Sequence, residues 1–146
     1  MRMGKAAGAT KLRIDVESSM KERILLVEDN PATAELIREE LEFLGYEAVV
    51  VQDGQEAIEK AISYLPDLIV MDISLPRMDG YQATSRIKKN PQTRAIPILA
   101  ATARAMPGDR EKCLASGCDG YIAKPFTHRD LGLALKKLLD KPSRRT

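Results

Sequence analysis

The chain has 146 residues, of which 44% are hydrophobic and 30% charged, so it is long enough for one domain with an apolar core. No apolar run approaches the roughly 20 residues that a membrane-spanning helix needs, and the basic N-terminus lacks the apolar stretch of a secretory signal. We therefore expect a protein that stays in the cytoplasm and makes no membrane contact.

The net charge of +2 is unevenly distributed along the chain. Residues 1–22 carry five basic and three acidic side chains, and residues 141–146 carry three basic ones. The body, 23–140, carries 15 basic and 18 acidic side chains. A DNA-binding domain concentrates its positive charge on the folded body. This distribution therefore argues against direct nucleic-acid binding.

The chain divides into a flexible leader, one domain and a basic tail. Residues 1–22 show little apolar periodicity and are the predicted leader, and residues 141–146 form the tail. Across 23–140, short apolar runs alternate with helical patterns. The predicted strands, in chain order, are Ile24–Val27, Ala48–Val51, Leu68–Met71, Ile96–Ala101 and Tyr121–Ala123.

Amphipathic helices are predicted between and after these strands. Their apolar residues recur at helical spacing in three sets: Ile37, Leu41 and Leu44; Ile58, Ala61, Ile62 and Leu65; Leu131, Leu135 and Leu138. Helix starts are indicated by Asn30 before Pro31, by capping boxes at Asp53–Glu56 and Asp79–Gln82, and by a looser one at Thr127–Asp130. Five strand–helix repeats predict an α/β fold, with a parallel sheet, right-handed crossovers and helices on both faces.

Polar side chains collect where the predicted strands end, which is where open parallel sheets carry their functional sites. Three carboxylates at one edge repel one another unless a cation neutralises them, and magnesium suits such oxygen ligands. An amine and a hydroxyl suit phosphoryl oxygens, so the set fits phosphoryl transfer. Asp72 stands alone at its strand end and is the better acceptor. The five residues are Glu28, Asp29, Asp72, Thr102 and Lys124.

Each of these residues also has an ordinary structural interpretation. Glu28 and Asp29 could begin the first helix, where acids favour the helix dipole. Asp72 could cap a turn, and Lys124 could be a surface charge. These separate interpretations do not explain why all five residues fall at one edge, so the joint pattern favours a site.

At this point the chain resembles the receiver domains of bacterial response regulators. The resemblance covers 23–140, with the matching segments in the same order and spacing. It implies a doubly wound five-stranded parallel sheet in the order 2-1-3-4-5, with helices on both faces. The matching segments are Ile24–Asn30 (ILLVEDN), Asp67–Gly80 (DLIVMDISLPRMDG), Pro97–Ala103 (PILAATA) and Gly120–Phe126 (GYIAKPF).

The resemblance also implies a role for each site residue. Asp72 would accept a phosphoryl group from a sensor histidine kinase or a phosphotransfer protein. Magnesium would be held by Asp29 and Asp72 directly, by Glu28 through water, and by the backbone carbonyl of Ser74. Lys124 would contact the phosphoryl group, and its bond to Pro125 would be cis.

The same resemblance implies a switch formed by Thr102 and Tyr121. Thr102 would move toward the phosphoryl group, and the rotamer of Tyr121 would follow it, although Tyr121 could also be plain core. The responding face would lie at about residues 105–139 and would bind a downstream effector protein. His128, the one histidine, is expected to be exposed at a helix start and not to carry phosphate.

Other functions fit the sequence less well. A haloacid-dehalogenase phosphatase would need Asp-x-Asp at the end of the first strand, and a nucleotide site would need glycines after Val27. A receiver used only as a scaffold would not need all five site residues. We expect no enzymatic activity of its own. Since only 141–146 follow the domain, a single-domain regulator is the expectation, with a fragment as the alternative.

Overall fold

The computed structural model describes residues 21–75, 77–103 and 107–140. Five strands alternate with five helices in these ranges. The strands are β1 (Arg23–Val27), β2 (Glu47–Val51), β3 (Leu68–Asp72), β4 (Ile98–Thr102) and β5 (Gly120–Ala123). The helices are α1 (Pro31–Phe43), α2 (Gly54–Tyr64), α3 (Gly80–Lys89), α4 (Asp109–Ser116) and α5 (His128–Leu139).

The five strands form one parallel sheet in the order β2-β1-β3-β4-β5, which confirms the predicted topology. Alternate residues of each central strand face opposite sides of the sheet, as the period of two requires. One side packs against α2, α3 and α4 through residues such as Leu25, Ile69 and Ile98. The other packs against α1 and α5 through residues such as Leu26 and Val70. Burial on both sides explains why β1 and β3 are continuous apolar runs.

The prediction for the start of the fourth strand was wrong by two residues: β4 begins at Ile98, not at Ile96. The backbone amide of Ile96 bonds to the carbonyl of Thr93 at 3.0 Å, so it belongs to the preceding turn. Pro97 has no amide hydrogen, and its carbonyl accepts from Ile69 at 3.0 Å. Proline therefore lies just before the strand, where its missing amide hydrogen removes no hydrogen bond between strands.

The capping signals mark four of the helix starts. Asn30 caps α1, and full capping boxes begin α3 and α5, so the pair Thr127–Asp130 is a stronger signal than predicted. The predicted box at α2 is incomplete. Asp53 accepts from the amide of Glu56 at 2.8 Å, but the Glu56 carboxylate reaches past the cap to the amide of Gln52 at 2.8 Å.

The predicted apolar stripe of α2 was partly wrong. Ile62 is 37% exposed and Leu65 is 52% exposed, whereas Ala57 and Ala61 are completely buried. Leu65 lies beyond the last helical residue with a φ of 48°, which turns it off the helical face. The stripe of α5 is confirmed, since its three predicted leucines are buried.

Helix α4 is the least anchored of the helices that the structure describes. Cys113 is its single buried residue, and its N-cap is Gly108, which offers no side chain to the first turn. The other helices each bury at least three residues and have a capping side chain at the N-terminus. The helix with the weakest anchoring is therefore the one that follows β4, the strand that ends at Thr102.

The predicted leader and tail fall outside the described residues, except for Lys21 and Glu22. The backbone carbonyl of Glu22 accepts a hydrogen bond from the amide of Glu47 at 2.9 Å. Within the described ranges, no helix combines the length and the apolarity that crossing a bilayer requires.

Candidate functional site

The carboxyl ends of the strands bring the predicted polar residues to one edge of the sheet. Glu28 and Asp29 follow β1, Asp72 is the last residue of β3, Thr102 is the last of β4, and Lys124 follows β5. Carboxylate oxygens of Glu28, Asp29 and Asp72 lie within 4.8 Å of one another. The predicted juxtaposition of the three acids is therefore what the structure shows.

Lys124 lies over two of the three acids. Its Nζ is 2.6 Å from Oε1 of Glu28 and 3.9 Å from Oδ1 of Asp72. Glu28 is only 3% exposed, and its other oxygen accepts from the amide of Asn30 at 3.2 Å. A buried carboxylate needs an ammonium or amide donor beside it, because leaving a buried charge unpaired costs about 3–5 kcal/mol. Lys124 therefore supports Glu28 as well as facing Asp72.

Asp72 is held in position by the loop that follows it. It is 5% exposed, and its Oδ1 accepts from the backbone amide of Ser74 at 3.0 Å. The amide of Gly80 bonds to the carbonyl of Ile73 at 3.0 Å, so the start of α3 lies directly against this loop. A Cβ at residue 80 would meet the backbone oxygen of Asp72 at 2.4 Å. The close approach requires glycine at this position.

The electrostatics of the site leave Asp72 partly unsatisfied. Burial raises its pKa to about 6, and the negative charge of Glu28 adds to the rise. The hydrogen bond from Ser74 and the charge of Lys124 oppose it. Burial therefore disfavours the ionised carboxylate more than the Ser74 amide and Lys124 favour it, and a bound cation would shift the balance back toward the ionised form.

In metal-free buffer, we expect Asp72→Asn to be more stable than the wild type at about pH 8, with the difference shrinking as the pH falls through about 6 toward 4. The reason is that the pKa of Asp72 is raised in the folded protein to about 6 from 3.8. The folded state then binds the proton more tightly than the unfolded state, so ionisation costs stability above the folded pKa. Thermal melting in EDTA across this range checks it, and a gap that does not change with pH would contradict it.

The structure also locates three other residues that the sequence analysis named. The Lys124–Pro125 bond is cis, as predicted. Thr102 is buried, and its carbonyl accepts from the amide of Lys124 at 2.7 Å, which ties the ends of β4 and β5 together. His128 is exposed at the first position of α5, also as predicted.

Tyr121 lies outside the acid cluster. It is opposite Ala100 in the register of β4 and β5, is half-buried, and packs against the core on the α2–α4 side of the sheet. Burial raises the pKa of its hydroxyl, and Asp109 and Cys113 of α4 add to the rise while Arg110 opposes it. The side chain is therefore electrostatically close to α4. Its predicted role as a switch stays a prediction.

The three carboxylates of the cluster suit a small divalent cation that prefers oxygen ligands. Three carboxylates converge, and one of them is raised in pKa by burial and by its neighbours. Magnesium accepts one or two carboxylates and keeps several waters, which suits an edge where Asp29 is exposed. The amide of Ser74 donates to Asp72, which brings residue 74 beside the acids. Whether its carbonyl is a ligand stays a prediction.

The sequence did not reveal the ion pair between Lys124 and Glu28. The two residues are 96 positions apart, and only the strand order makes their side chains meet. The sequence analysis also missed the backbone amides of Asn30 and Ser74, which donate to Glu28 and Asp72. Every residue except proline has a backbone amide, so the residue type does not indicate which amide will bind a carboxylate.

Comparison with known proteins agrees with this geometry. The family model described as the response regulator receiver domain matches residues 24–136. The polar-differentiation response regulators DivK of Brucella anthropi and Brucella ovis are each 41% identical to the chain over 108 residues, which is 74% of this chain and 88% of theirs.

Solved structures show the same likeness. The receiver domain of a sensor histidine kinase from Pseudomonas aeruginosa PAO1 superposes with a TM-score of 0.78 at 42% identity, over 83% of this chain and 99% of that one. That domain has a magnesium ion coordinated in its active site cleft. A CheY-like response regulator receiver domain protein from Methanospirillum hungatei JF-1 gives a TM-score of 0.78 at 29% identity, over 86% of this chain and 99% of that one.

Proposed function

The chain belongs to the response regulator receiver domain family, and from that premise we propose that it accepts a phosphoryl group on Asp72 in a magnesium-dependent reaction. The observation that carries the proposal is the convergence of Glu28, Asp29 and Asp72 within 4.8 Å, with Lys124 beside them. The donor would be the phosphohistidine of a sensor histidine kinase or a phosphotransfer protein. Membership of this family argues against the two other functions considered from the sequence, a haloacid-dehalogenase phosphatase and a nucleotide-binding protein.

In the proposed reaction, a carboxylate oxygen of Asp72 attacks the phosphorus of the donor. A P–O bond forms, the P–N bond of the phosphohistidine breaks, and the imidazole nitrogen keeps the electron pair. The catalytic contribution of the protein is to hold Asp72 in line and to balance charge. The Ser74 amide fixes the carboxylate at 3.0 Å, which orients the attacking oxygen.

Magnesium, when bound, would neutralise charge on the acids and on the transferring phosphoryl oxygens. Asp29 and Asp72 would hold it directly, Glu28 through water, and Ser74 by its carbonyl. Lys124 has three N–H donors and uses one on Glu28. It would offer another to the phosphoryl group on Asp72, whose nearer oxygen is 3.9 Å away.

The response to phosphorylation is proposed to run through Thr102 and Tyr121. Thr102 stands at the same edge as Asp72, and Tyr121 lies on the adjacent strand beside α4. A hydroxyl that bonds to the phosphoryl group would favour one of two arrangements of this region. The face formed by α4, β5 and α5 would then bind a downstream effector protein. Residues 105 and 106 of the predicted face lie outside the described residues.

Receiver domains are signalling modules, and we propose that this chain has no enzymatic turnover beyond its own phosphorylation. A cytoplasmic location follows from the proposed donor, whose phosphohistidine must reach Asp72. Direct binding of nucleic acid or membrane is not part of the proposal.

The proposed acceptor is tested by intact mass after incubation with magnesium and acetyl phosphate. We expect the wild type to gain one phosphoryl group that alkali removes, as an acyl phosphate should, and Asp72→Asn to gain none. Asp119→Asn is the matched control, because Asp119 is a carboxylate at the amino end of β5, and it should be phosphorylated. A wild type that stays unmodified with a kinase supplied as well would leave only the scaffold interpretation.

A further inference from the structure

The chain has two cysteines, and both lie where α4 ends. Cys113 is in the last turn of the helix, and Cys118 is the second residue after it. Gly117, between them, has a φ of 109°, and its amide donates to the carbonyl of Leu114 at 3.1 Å. The amide of Cys118 donates to the carbonyl of Cys113 at 3.0 Å. These two hydrogen bonds form a Schellman motif, which brings the side chains at positions 113 and 118 together.

The two thiols meet in the apolar core. Cys113 is completely buried and Cys118 is 5% exposed, and both belong to the cluster between the sheet and α2, α3 and α4. A hydrogen bond joins the two thiols, and neither is in a disulfide. The Cys118 sulfur also lies 3.9 Å from the hydroxyl of Thr84 and 3.8 Å from that of Ser116. Each sulfur therefore has the other as a close neighbour.

The backbone separation of the two cysteines suits a disulfide. The N···O distance of 3.0 Å joins main-chain atoms of Cys118 and Cys113. Standard backbone dimensions then limit the two Cα atoms to a separation of at most about 7 Å. Disulfides are found with Cα atoms about 4.4–6.8 Å apart, and the bond cannot form without backbone movement beyond about 7 Å. The end of α4 therefore needs no rearrangement of its main chain for the two sulfurs to bond.

We propose that Cys113 and Cys118 are a site of reversible oxidation, at which a low-molecular-weight disulfide such as oxidised glutathione forms an intramolecular disulfide. The thiolate of Cys118, the more exposed of the two, attacks one sulfur of the oxidant. A mixed disulfide forms, the S–S bond of the oxidant breaks, and the released small thiolate takes up the proton that Cys118 lost.

The second step closes the ring. The thiolate of Cys113 attacks the sulfur of Cys118, and the second small thiolate leaves with the electron pair and takes up the second proton. The protein is oxidised by the loss of two hydrogens, and one small disulfide is reduced to two small thiols. Excess reduced glutathione runs the same steps backwards, which makes the modification reversible.

The site is separate from the acid cluster. Cys118 lies before β5, at the amino end of the strand, whereas the acids lie at the carboxyl ends of β1 and β3. Its neighbour Asp119 accepts from the amide of Ile98 at 2.8 Å, which fixes this part of the chain to the sheet. The disulfide would therefore tie the last turn of α4 to the sheet. It goes beyond the proposed function and uses none of the residues of that site.

Burial makes the exchange slow and leaves its equilibrium as the quantity to measure. It raises the pKa of the Cys113 thiol to about 11, and the Cys118 thiol adds to the rise. Burial also raises the pKa of Cys118. Because the thiolate is the reacting form, little of either cysteine is reactive at neutral pH. Slightly alkaline buffer and long incubation bring the exchange to equilibrium.

The test is the equilibrium of the full chain with mixtures of reduced and oxidised glutathione, in buffer and in urea that unfolds the protein. Samples are quenched with acid, remaining thiols are alkylated, and intact mass counts them. Two nearby cysteines can form a disulfide even in an unfolded chain, so the ratio of the two equilibrium constants is the measure. We expect the folded protein to favour the disulfide by at least about ten-fold, which corresponds to about 1.4 kcal/mol.

Urea denaturation measures the same quantity independently. A bond that the folded state favours must stabilise the folded state by the same factor, so the oxidised protein should unfold at higher urea than the reduced one. Cys118→Ser is the matched control, because a serine hydroxyl can keep the contacts with Thr84 and Ser116. It should form no internal disulfide, and oxidised glutathione should not raise its urea midpoint.

Three results would overturn the proposal. An equilibrium constant in the folded protein that is equal to or smaller than that in urea would mean that the two thiols only pack. A stable mixed disulfide with glutathione would mean that the second step does not occur. A disulfide between two chains, seen as a doubled mass, would mean that the cysteines react from separate molecules. The wild-type equilibrium decides among these outcomes even if Cys118→Ser fails to fold.

Discussion

Replacing Gly80 with alanine should destabilise the fold by about 3 kcal/mol or more and impair phosphorylation of Asp72. The new Cβ would lie 2.4 Å from the backbone oxygen of Asp72 and 2.7 Å from Cα of Ile73. Both atoms belong to the main chain, so no side-chain rotation relieves the contact. Either α3 moves away from the sheet or the end of β3 shifts with its carboxylate. Urea denaturation and intact mass after acetyl phosphate treatment measure the two effects.

Gly132→Ala is the matched control for this substitution. Residue 132 lies inside α5, and a Cβ there would meet side-chain carbons of Leu44 at 3.4 and 3.7 Å, which is ordinary contact. Alanine loses less conformational entropy than glycine in a helix, so this variant should gain about 0.5–1 kcal/mol. If both variants change stability equally, the close approach at Gly80 does not govern the fold.

The second large effect is expected for Lys124→Met. This substitution removes the Lys124 ammonium, which lies 2.6 Å from the carboxylate of Glu28. Glu28 is only 3% exposed, so its carboxylate would be left buried without that partner. Stranding one partner of a buried ion pair costs about 3–5 kcal/mol, so the metal-free variant should be much less stable in urea. Phosphorylation by acetyl phosphate should also slow by about 100-fold, because the positive charge facing Asp72 is lost.

The double variant Glu28→Gln/Lys124→Met separates the two roles of the lysine. It removes the stranded charge and should recover most of the stability, while phosphorylation stays slow. Lys136→Met, at an exposed position of α5, should change stability by no more than about 0.5 kcal/mol. A double variant as unstable as Lys124→Met alone would show that the ion pair is not the cause.

The sequence predicted the fold well because the signals were local and redundant. The runs that became β1 and β3 are buried on both sides, so their apolar patterns are continuous, and Asn30, Asp79 and Thr127 cap helices where they were expected to. Errors arose where local patterns compete. Ile96 looks like strand but its amide closes a turn, and Leu65 has helical spacing but follows the end of α2.

The candidate site was predictable in position and less so in its contacts. Strand ends in a parallel sheet share one edge, so Asp72 and Lys124 could be placed together from the sequence. The pairing of Lys124 with Glu28 depends on side-chain reach, and the fixing of Asp72 depends on an amide donor. The contact between Gly80 and the Asp72 backbone depends on how closely α3 approaches the sheet, which spacing does not encode.

The weak anchoring of α4 has a consequence for the order in which the domain opens. With one buried residue and no capping side chain at its N-terminus, α4 loses little when it unwinds from its first turn, whereas α3 and α5 each lose a capping box and at least four buried residues. Local unfolding should therefore begin there, and the amide protons of α4 should exchange with solvent before those of its neighbours. The helix that carries Arg110 and Leu114 should then melt separately from the rest of the domain, and a partner that contacts α4 would order it on binding.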